Sequence, residues 1–458
     1  MRYVSTRGKV PAVSFKDAVM MGLADDGGLL VPESVPSFTT EELTKLSALD
    51  YPSLAYEIIS RFATDIEPAE LKKIIEKSYA AFDTEEVIPV VKKGGLYIAE
   101  IFHGPTFAFK DIALQFLGNL FEHILEERGE RLNIVGATSG DTGSAAIYGV
   151  RGRKNIRIFI LHPKGRVSPV QEMQMTSVTD ENVFNLAVHG TFDDCQNIVK
   201  EIFGDLKFKH DYSLGAVNSI NWARVLAQVV YYFWCSFRAA ENGKKPVFVV
   251  PTGNFGNIFA GYYAKQMGLP VERFILATNE NNILSRFINE GDYTSKEVVA
   301  TYSPSMDIQI ASNFERYLYF FYNMDASKVE QLMKTLKTEK GITFPPSDIA
   351  KVQEEFGTYS ASNHETEEVI ASFYKSTGYI IDPHTACGVA AGLKLDTDSP
   401  VICLSTAHPA KFPDVVVKAA GKEPEKPAGI LKLEGLPRKV EDISNDTEAV
   451  KEFIKRNV

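Results

Sequence analysis

The sequence predicts an α/β protein, with parallel sheets wound by helices behind a mostly helical N-terminal unit, and two patterns carry that expectation. Short apolar runs alternate with helical segments through the middle of the chain. Leu132 to Ala137, Arg157 to Leu161 and Val247 to Val250 read as strands, and Thr142 to Gly149 and Asn257 to Met267 as helices. Parallel strands need a crossover, and helices of this length supply one. Ahead of that region Phe15, Ala18 and Val19, then Leu54, Ile58, Ile59 and Phe62, recur at helical spacing.

In chain order, residues 1–85 read as an N-terminal cap, helical from Ser14 to about Ala81 and interrupted by the glycine-rich turn Gly22 to Pro32. Residues 86–421 hold the alternating body. Residues 422–458 begin with KEPEKPAG, which reads as a linker, and end in a short charged helix from Asp446 to Arg456.

The 458 residues, 45% hydrophobic and 24% charged, are enough for two or three domains. A net charge of -10 argues against nucleic acid or an anionic membrane as partners, while a small anion can still bind in a local cationic pocket. Cys195, Cys235, Cys387 and Cys403 form no CxxC pair and no Cys/His ligand cluster, so no metal is expected and reduced thiols of a cytoplasmic protein are. The longest apolar run, Val229 to Cys235, is far short of a bilayer span.

The chemistry concentrates in Phe102 to Asn119, FHGPTFAFKDIALQFLGN, where Lys110 follows Phe107, Ala108 and Phe109. An apolar collar destabilises an ammonium ion and lowers the amine toward the range of a Schiff-base nucleophile. A lysine snorkelling at a helix start would show the same local sequence.

Three strand ends could complete a site around it. Ile134 to Ala145, IVGATSGDTGSA, runs a strand into Thr138, Ser139, Gly140 and Thr142 before a helix whose free N–H groups suit an anion, although a capped βα turn without ligand fits equally well. Phe248 to Ile258, FVVPTGNFGNI, frees the backbone at Gly253 and Gly256 to wrap a phosphate, and its spacing is not the G-x-G-x-x-G of dinucleotide sites. Val401 to Pro413, VICLSTAHPAKFP, sets Ser405, Thr406 and His408 in a loop closed by prolines; His408 reads as structural. A fourth stretch, NSINWARVLAQ, gathers Asn218, Ser219, Asn221 and Arg224 at a helix start, either to meet an anion or as a capped helix with a surface arginine.

Together these segments resemble the threonine synthase family, fold-type-II enzymes dependent on pyridoxal 5'-phosphate (PLP). The likeness runs in order through YVSTRG, DGGL, HGPTFAFKD, ATSGDTG, GRVSPVQ, NSINWAR, PTGNFGN, SMDIQIASNFERY and TAHPAKF, and matches the longer type of fungi and many bacteria. It implies a fold like the tryptophan synthase β chain, with two three-layer parallel-sheet subdomains and an N-terminal helical domain. It also implies that Lys110 holds PLP covalently and is the catalytic residue. Gly253, Asn254, Phe255, Gly256 and Asn257 would cradle the PLP phosphate, with Asn257 standing where relatives often have aspartate. Thr406 would face the pyridine nitrogen, and Thr138, Ser139, Gly140 and Thr142 the substrate carboxylate. Asn218, Ser219 and Arg224, with Asn254, would contact the substrate phosphate. The implied reaction turns O-phospho-L-homoserine and water into L-threonine and phosphate. A threonine or serine dehydratase of the same fold is the nearest rival, and a non-catalytic PLP or phospho-ligand binder a further one; monomer and dimer both stay open.

Overall fold

A computed structural model describes residues 1–241 and 243–458, and the alternating pattern resolves there into two main sheets. Strands β1 (Val90–Lys93) and β2 (Leu96–Glu100) form a hairpin. The chain then leaves to build a second sheet from β3 (Leu132–Ala137), β4 (Ile156–Pro163), β5 (Val183–Val188) and the short β6 (Leu214–Gly215). It returns to the first sheet with β7 (Val247–Pro251), β8 (Arg273–Thr278), β9 (Phe356–Ser360) and β10 (Val401–Ser405). A last strand, β11 (Glu441–Ile443), joins the second sheet. The first sheet runs β9-β8-β7-β10-β2-β1 and the second β11-β5-β4-β3-β6. Every pairing is parallel except β1 with β2. There Gly94 and Gly95, at φ 55° and 84°, make the two-residue turn that reverses the chain.

Alternate side chains of each sheet enter different cores, as the two-residue period of a strand requires when both faces are covered. In the first sheet Phe248, Val250, Phe274, Leu276, Ile402 and Leu404 pack with the long buried helix Trp222–Arg238. Their neighbours Val247, Val249, Ile275, Ala277 and Cys403 face helices Asn363–Thr377 and Pro383–Gly392. The second sheet divides in the same way, with Ile134, Ile158 and Ile160 inward and Val135, Phe159 and Leu161 against helix Phe192–Gly204. Both sheets are therefore three-layered.

The N-terminal unit is helical over Phe15–Met21, Thr40–Leu46, Tyr51–Ile59 and Pro68–Tyr79, with a small ribbon of Tyr3–Ser5 against Leu30–Pro32. It has no core of its own. Tyr3, Phe15, Leu54, Ile58 and Phe62 share the central core with Trp222 and Tyr263.

The C-terminal segment is more than a linker and a helix. Glu441–Ile443 pairs in parallel with Leu186–Val188, and helix Thr447–Asn457 sinks Val450 and Ile454 beside Ile198 and Ile202. A strand of sequence EDI gains its place from backbone hydrogen bonds to an open edge, which side-chain patterning does not announce. Ile430, in the short turn Ala428–Leu431, lies in a cluster with Phe107, Val170 and Ala410, close to the lysine segment. The four cysteines are unpaired and buried, and among the described residues no helix is long and apolar enough to cross a membrane.

Helix Lys110–Arg128 crosses helix Asp141–Val150 backbone to backbone. A Cβ at Gly118 would stand 1.9 Å from the Gly149 carbonyl oxygen, and one at Gly149 2.5 Å from that of Leu114. Gly118→Ala should push the two helices apart and cost about 1–3 kcal/mol, the usual penalty of overpacking. Urea melts of both proteins check it, and an unchanged midpoint would contradict the close crossing.

Candidate active site

Lys110 stands at the first position of its helix, and the segment before it is held at both ends. On one side Asp111, buried and pushed up by that burial to about 6, accepts the Thr106 N–H and hydroxyl, both at 2.8 Å. On the other, the Phe109 N–H donates to the Thr406 carbonyl at 2.9 Å and the His408 N–H to that of Phe107 at 3.0 Å. Phe107 takes the left-handed conformation, φ 58°, an uncommon choice for an aromatic residue that only these flanking contacts sustain. The lysine segment is thereby stitched to the end of β10, and Lys110 and Thr406 line one cleft.

The electrostatics around the amine go beyond an apolar collar. Burial lowers Lys110, and the nearby cations of Lys411 and Arg224 act in the same direction. Asp141 opposes them, its Oδ2 standing 3.5 Å from Nζ, while Ser305 Oγ accepts from Nζ at 3.1 Å. Burial would raise Asp141, yet Lys411, Lys110 and His384 together hold its carboxyl well below the usual carboxylate range. The result is an ionised carboxylate beside an amine whose charged form is disfavoured, an arrangement suited to nucleophilic and proton-transfer work.

The opposite end of the cleft is built for anions. Phe255 sits at φ 62° immediately before helix Gly256–Gln266, whose first turn carries no side-chain cap. The N–H groups there lack intrahelical acceptors, and the helix dipole adds partial positive charge. A Cβ at Gly253 would lie 2.8 Å from the Ser305 carbonyl oxygen, so only glycine lets this loop close. The Tyr231 and Tyr232 hydroxyls both donate to Asn257 Oδ1, at 2.5 and 2.9 Å. That bonding leaves Asn257 Nδ2, buried and unpartnered, as a donor beside the cleft. Arg224 is 3% exposed; its Nη1 donates to the Val217 carbonyl at 2.8 Å and its Nε has no partner. Burial alone lowers it to about 10, with no carboxylate acting on it.

Of the residues singled out from sequence, Lys110, Thr142, Ser219, Arg224, Gly253, Asn254, Phe255, Gly256, Asn257 and Thr406 line this single cleft. Thr138, Ser139, Gly140 and Asn218 are not among its lining residues. Thr138 is turned inward, its hydroxyl accepting the Gly140 and Gly143 N–H groups at 3.0 and 2.8 Å, which ties down the loop into the helix start. Asn218 is exposed, its carbonyl accepting the Asn221 N–H. His408 is likewise a cap, Nδ1 accepting the Ala410 N–H, and burial lowers it to about 4. The sequence motifs do not point to Asp141, Ser305 and His384, which line the cleft, or to Lys411, which pairs with Asp141. Asp141 lies inside the ATSGDTG loop, and Lys411, between Ala410 and Phe412, repeats the apolar collar that drew attention to Lys110.

Family models match almost the whole chain: "Threonine synthase N terminus" over residues 2–79, "Pyridoxal-phosphate dependent enzyme" over 91–406 and "Threonine synthase, C-terminal" over 385–454. The chain is 46% identical to the threonine synthase of Schizosaccharomyces pombe, covering 90% of this chain and 88% of that one. It is 44% identical to that of Pseudomonas aeruginosa, covering 100% and 98%. The crystal structure of PLP-bound threonine synthase from Brucella melitensis superposes with a TM-score of 0.97 at 46% identity, covering 100% of this chain and 99% of that one. On fold, sequence and site together, the chain belongs to the threonine synthase family of PLP-dependent enzymes.

Proposed function

We propose that this protein converts O-phospho-L-homoserine and water to L-threonine and inorganic phosphate in the cytoplasm, with Lys110 as the residue that carries PLP. The observation that carries the reading is one cleft with two separate anion seats near a single amine. The first seat, the glycine loop and helix start at Gly253 to Asn257, fits the PLP phosphate: its free N–H groups and the Asn257 amide supply donors, and Gly253 lets the loop close against the Ser305 backbone. The second, Arg224 with Ser219, fits the phosphate of a substrate. A dehydratase acting on threonine or serine has no second phosphate to place, so a buried guanidinium without a carboxylate partner would be a cost without use.

PLP, when bound, supplies an electron sink for charge that develops on the substrate carbons. Lys110 Nζ, its charged form disfavoured by burial and by its cationic neighbours, takes and returns protons at the substrate carbons. Ser305 orients that amine through its hydroxyl. Thr142, at the start of helix Asp141–Val150, reaches the cleft beside Asp141, and it with the helix N-terminus takes the substrate carboxylate. Arg224 and Ser219 hold the phosphate as it leaves Cγ, while water adds at Cβ.

Lys110→Ala should abolish both covalent retention of PLP and turnover; retained turnover would remove Lys110 from its role. Phosphate release from O-phospho-L-homoserine should equal the threonine formed, whereas keto acid released from threonine would favour the dehydratase reading. Arg224→Gln should raise KM for the phosphorylated substrate by about 10- to 100-fold, the worth of a charge-assisted hydrogen bond. Its PLP affinity should stay within about twofold of wild type, and a large loss of PLP with an unchanged KM would move Arg224 to the cofactor seat.

A further inference from the structure

One carboxylate in the cleft lies between two lysines. Lys411 follows β10 in the turn Pro409–Lys411, is 0% exposed, and reaches Asp141 Oδ1 at 2.8 Å and the Thr106 carbonyl at 2.7 Å. Gln171 Nε2 donates to the same Oδ1 at 2.7 Å. Only Oδ2 is left for the Lys110 amine, at 3.5 Å, and Ser305 Oγ also donates to it at 3.2 Å. The other charged groups are few. Arg224 faces Lys110, His384 faces Asp141 and is tied to Asp382 at 2.9 Å, and Asp111 faces Lys411 across Thr106. Two buried lysines thus share one carboxylate, and the shorter, doubly anchored contact belongs to Lys411.

We propose that Lys411 is a positioning residue for Lys110: by claiming one oxygen of Asp141 it turns the other toward the Lys110 amine and denies that amine an undivided counter-ion. This rests on Lys110 as the PLP-bearing residue. Removing the Lys411 charge gives Asp141 wholly to Lys110 and removes a repelling cation, and both changes favour the charged amine.

The test is reductive methylation of PLP-free full-length protein with formaldehyde between pH 6 and 9, with Lys110 labelling followed by peptide mass spectrometry. Lys411→Gln, which keeps an N–H donor toward Thr106, should shift the labelling midpoint up by about one pH unit, an approximately tenfold loss of labelling at neutral pH. Lys411→Arg should restore the wild-type midpoint. A folded Lys411→Gln protein with an unmoved midpoint overturns the proposal, since a merely structural lysine would leave the titration alone. Should Lys411→Gln not fold by circular dichroism, Asp141→Asn decides: loss of the shared counter-ion must lower the midpoint, and an unchanged one overturns the proposal. Borohydride trapping of PLP on wild-type Lys110 tests the functional reading separately, so failure of one is not mistaken for failure of the other.

Discussion

The arrangement depends on the Asp141 carboxylate. Its two oxygens receive donors from four segments far apart in the chain: Lys110, Gln171, Ser305 and Lys411. These come from the helix after the first hairpin, from the second sheet's helix Pro169–Thr176, from the short 3-10 turn Pro304–Met306 and from the turn after β10. Burying a charge of either sign is costly unless it is paired and hydrogen-bonded, and removing one partner of such a set is worse than never having had it. Asp141 therefore ties the two sheets together beside the Lys110 amine. The glycine crossing of Gly118 and Gly149 serves the same end, because only a backbone-to-backbone approach lets helix Asp141–Val150 bring its first residue to Lys110.

Around that charge the backbone is held in conformations it would not choose alone. Phe107 and Phe255 both occupy the left-handed region, one in the segment before Lys110 and one just before helix Gly256–Gln266. Each is surrounded by contacts that compensate for the strain: Phe107 by Ile430, Val170 and Ala410, Phe255 by Phe314, Tyr317 and Phe356. The C-terminal segment, which supplies Ile430 and then a strand of the second sheet, thus braces the lysine loop from outside.

The N-terminal unit braces the anion end. Asn221 donates to the Val19 carbonyl at 2.8 Å, and Trp222 packs against Tyr3 and Phe62. Arg316, 0% exposed, donates to the Leu30 and Ile220 carbonyls and to Asn313 Oδ1. Asn313 Nδ2 in turn reaches the carbonyls of Ser219 and Asn254, both at 3.2 Å. A buried arginine with every bond directed at backbone or amide oxygen acts as a rigid bracket, so the loops carrying Ser219 and Asn254 are spaced by residues that do not line the cleft.

The alternating strands and helices, the apolar collar of Lys110 and the glycine loop at Gly253 to Gly256 were all legible in the sequence, because each is a local pattern with a local cause: a two-residue or 3.6-residue period, desolvation by neighbouring side chains, a backbone freed by glycine. Local pattern could not tell which way a hydroxyl turns: the Thr138 hydroxyl accepts the Gly140 and Gly143 N–H groups, and a threonine before a helix serves either purpose with the same sequence. It could not show that the second sheet interrupts the first, or that EDI near the C-terminus is a strand, since both follow from which open edge a segment meets. Nor could it pair Asp141 with Lys411, 270 residues apart, or with Lys110. The sequence alone determined the residue types that can do this chemistry and the elements that carry them. Tertiary structure decided which of them share one carboxylate, because the energy of a buried charge depends on distances of a few ångströms that only the packed fold sets.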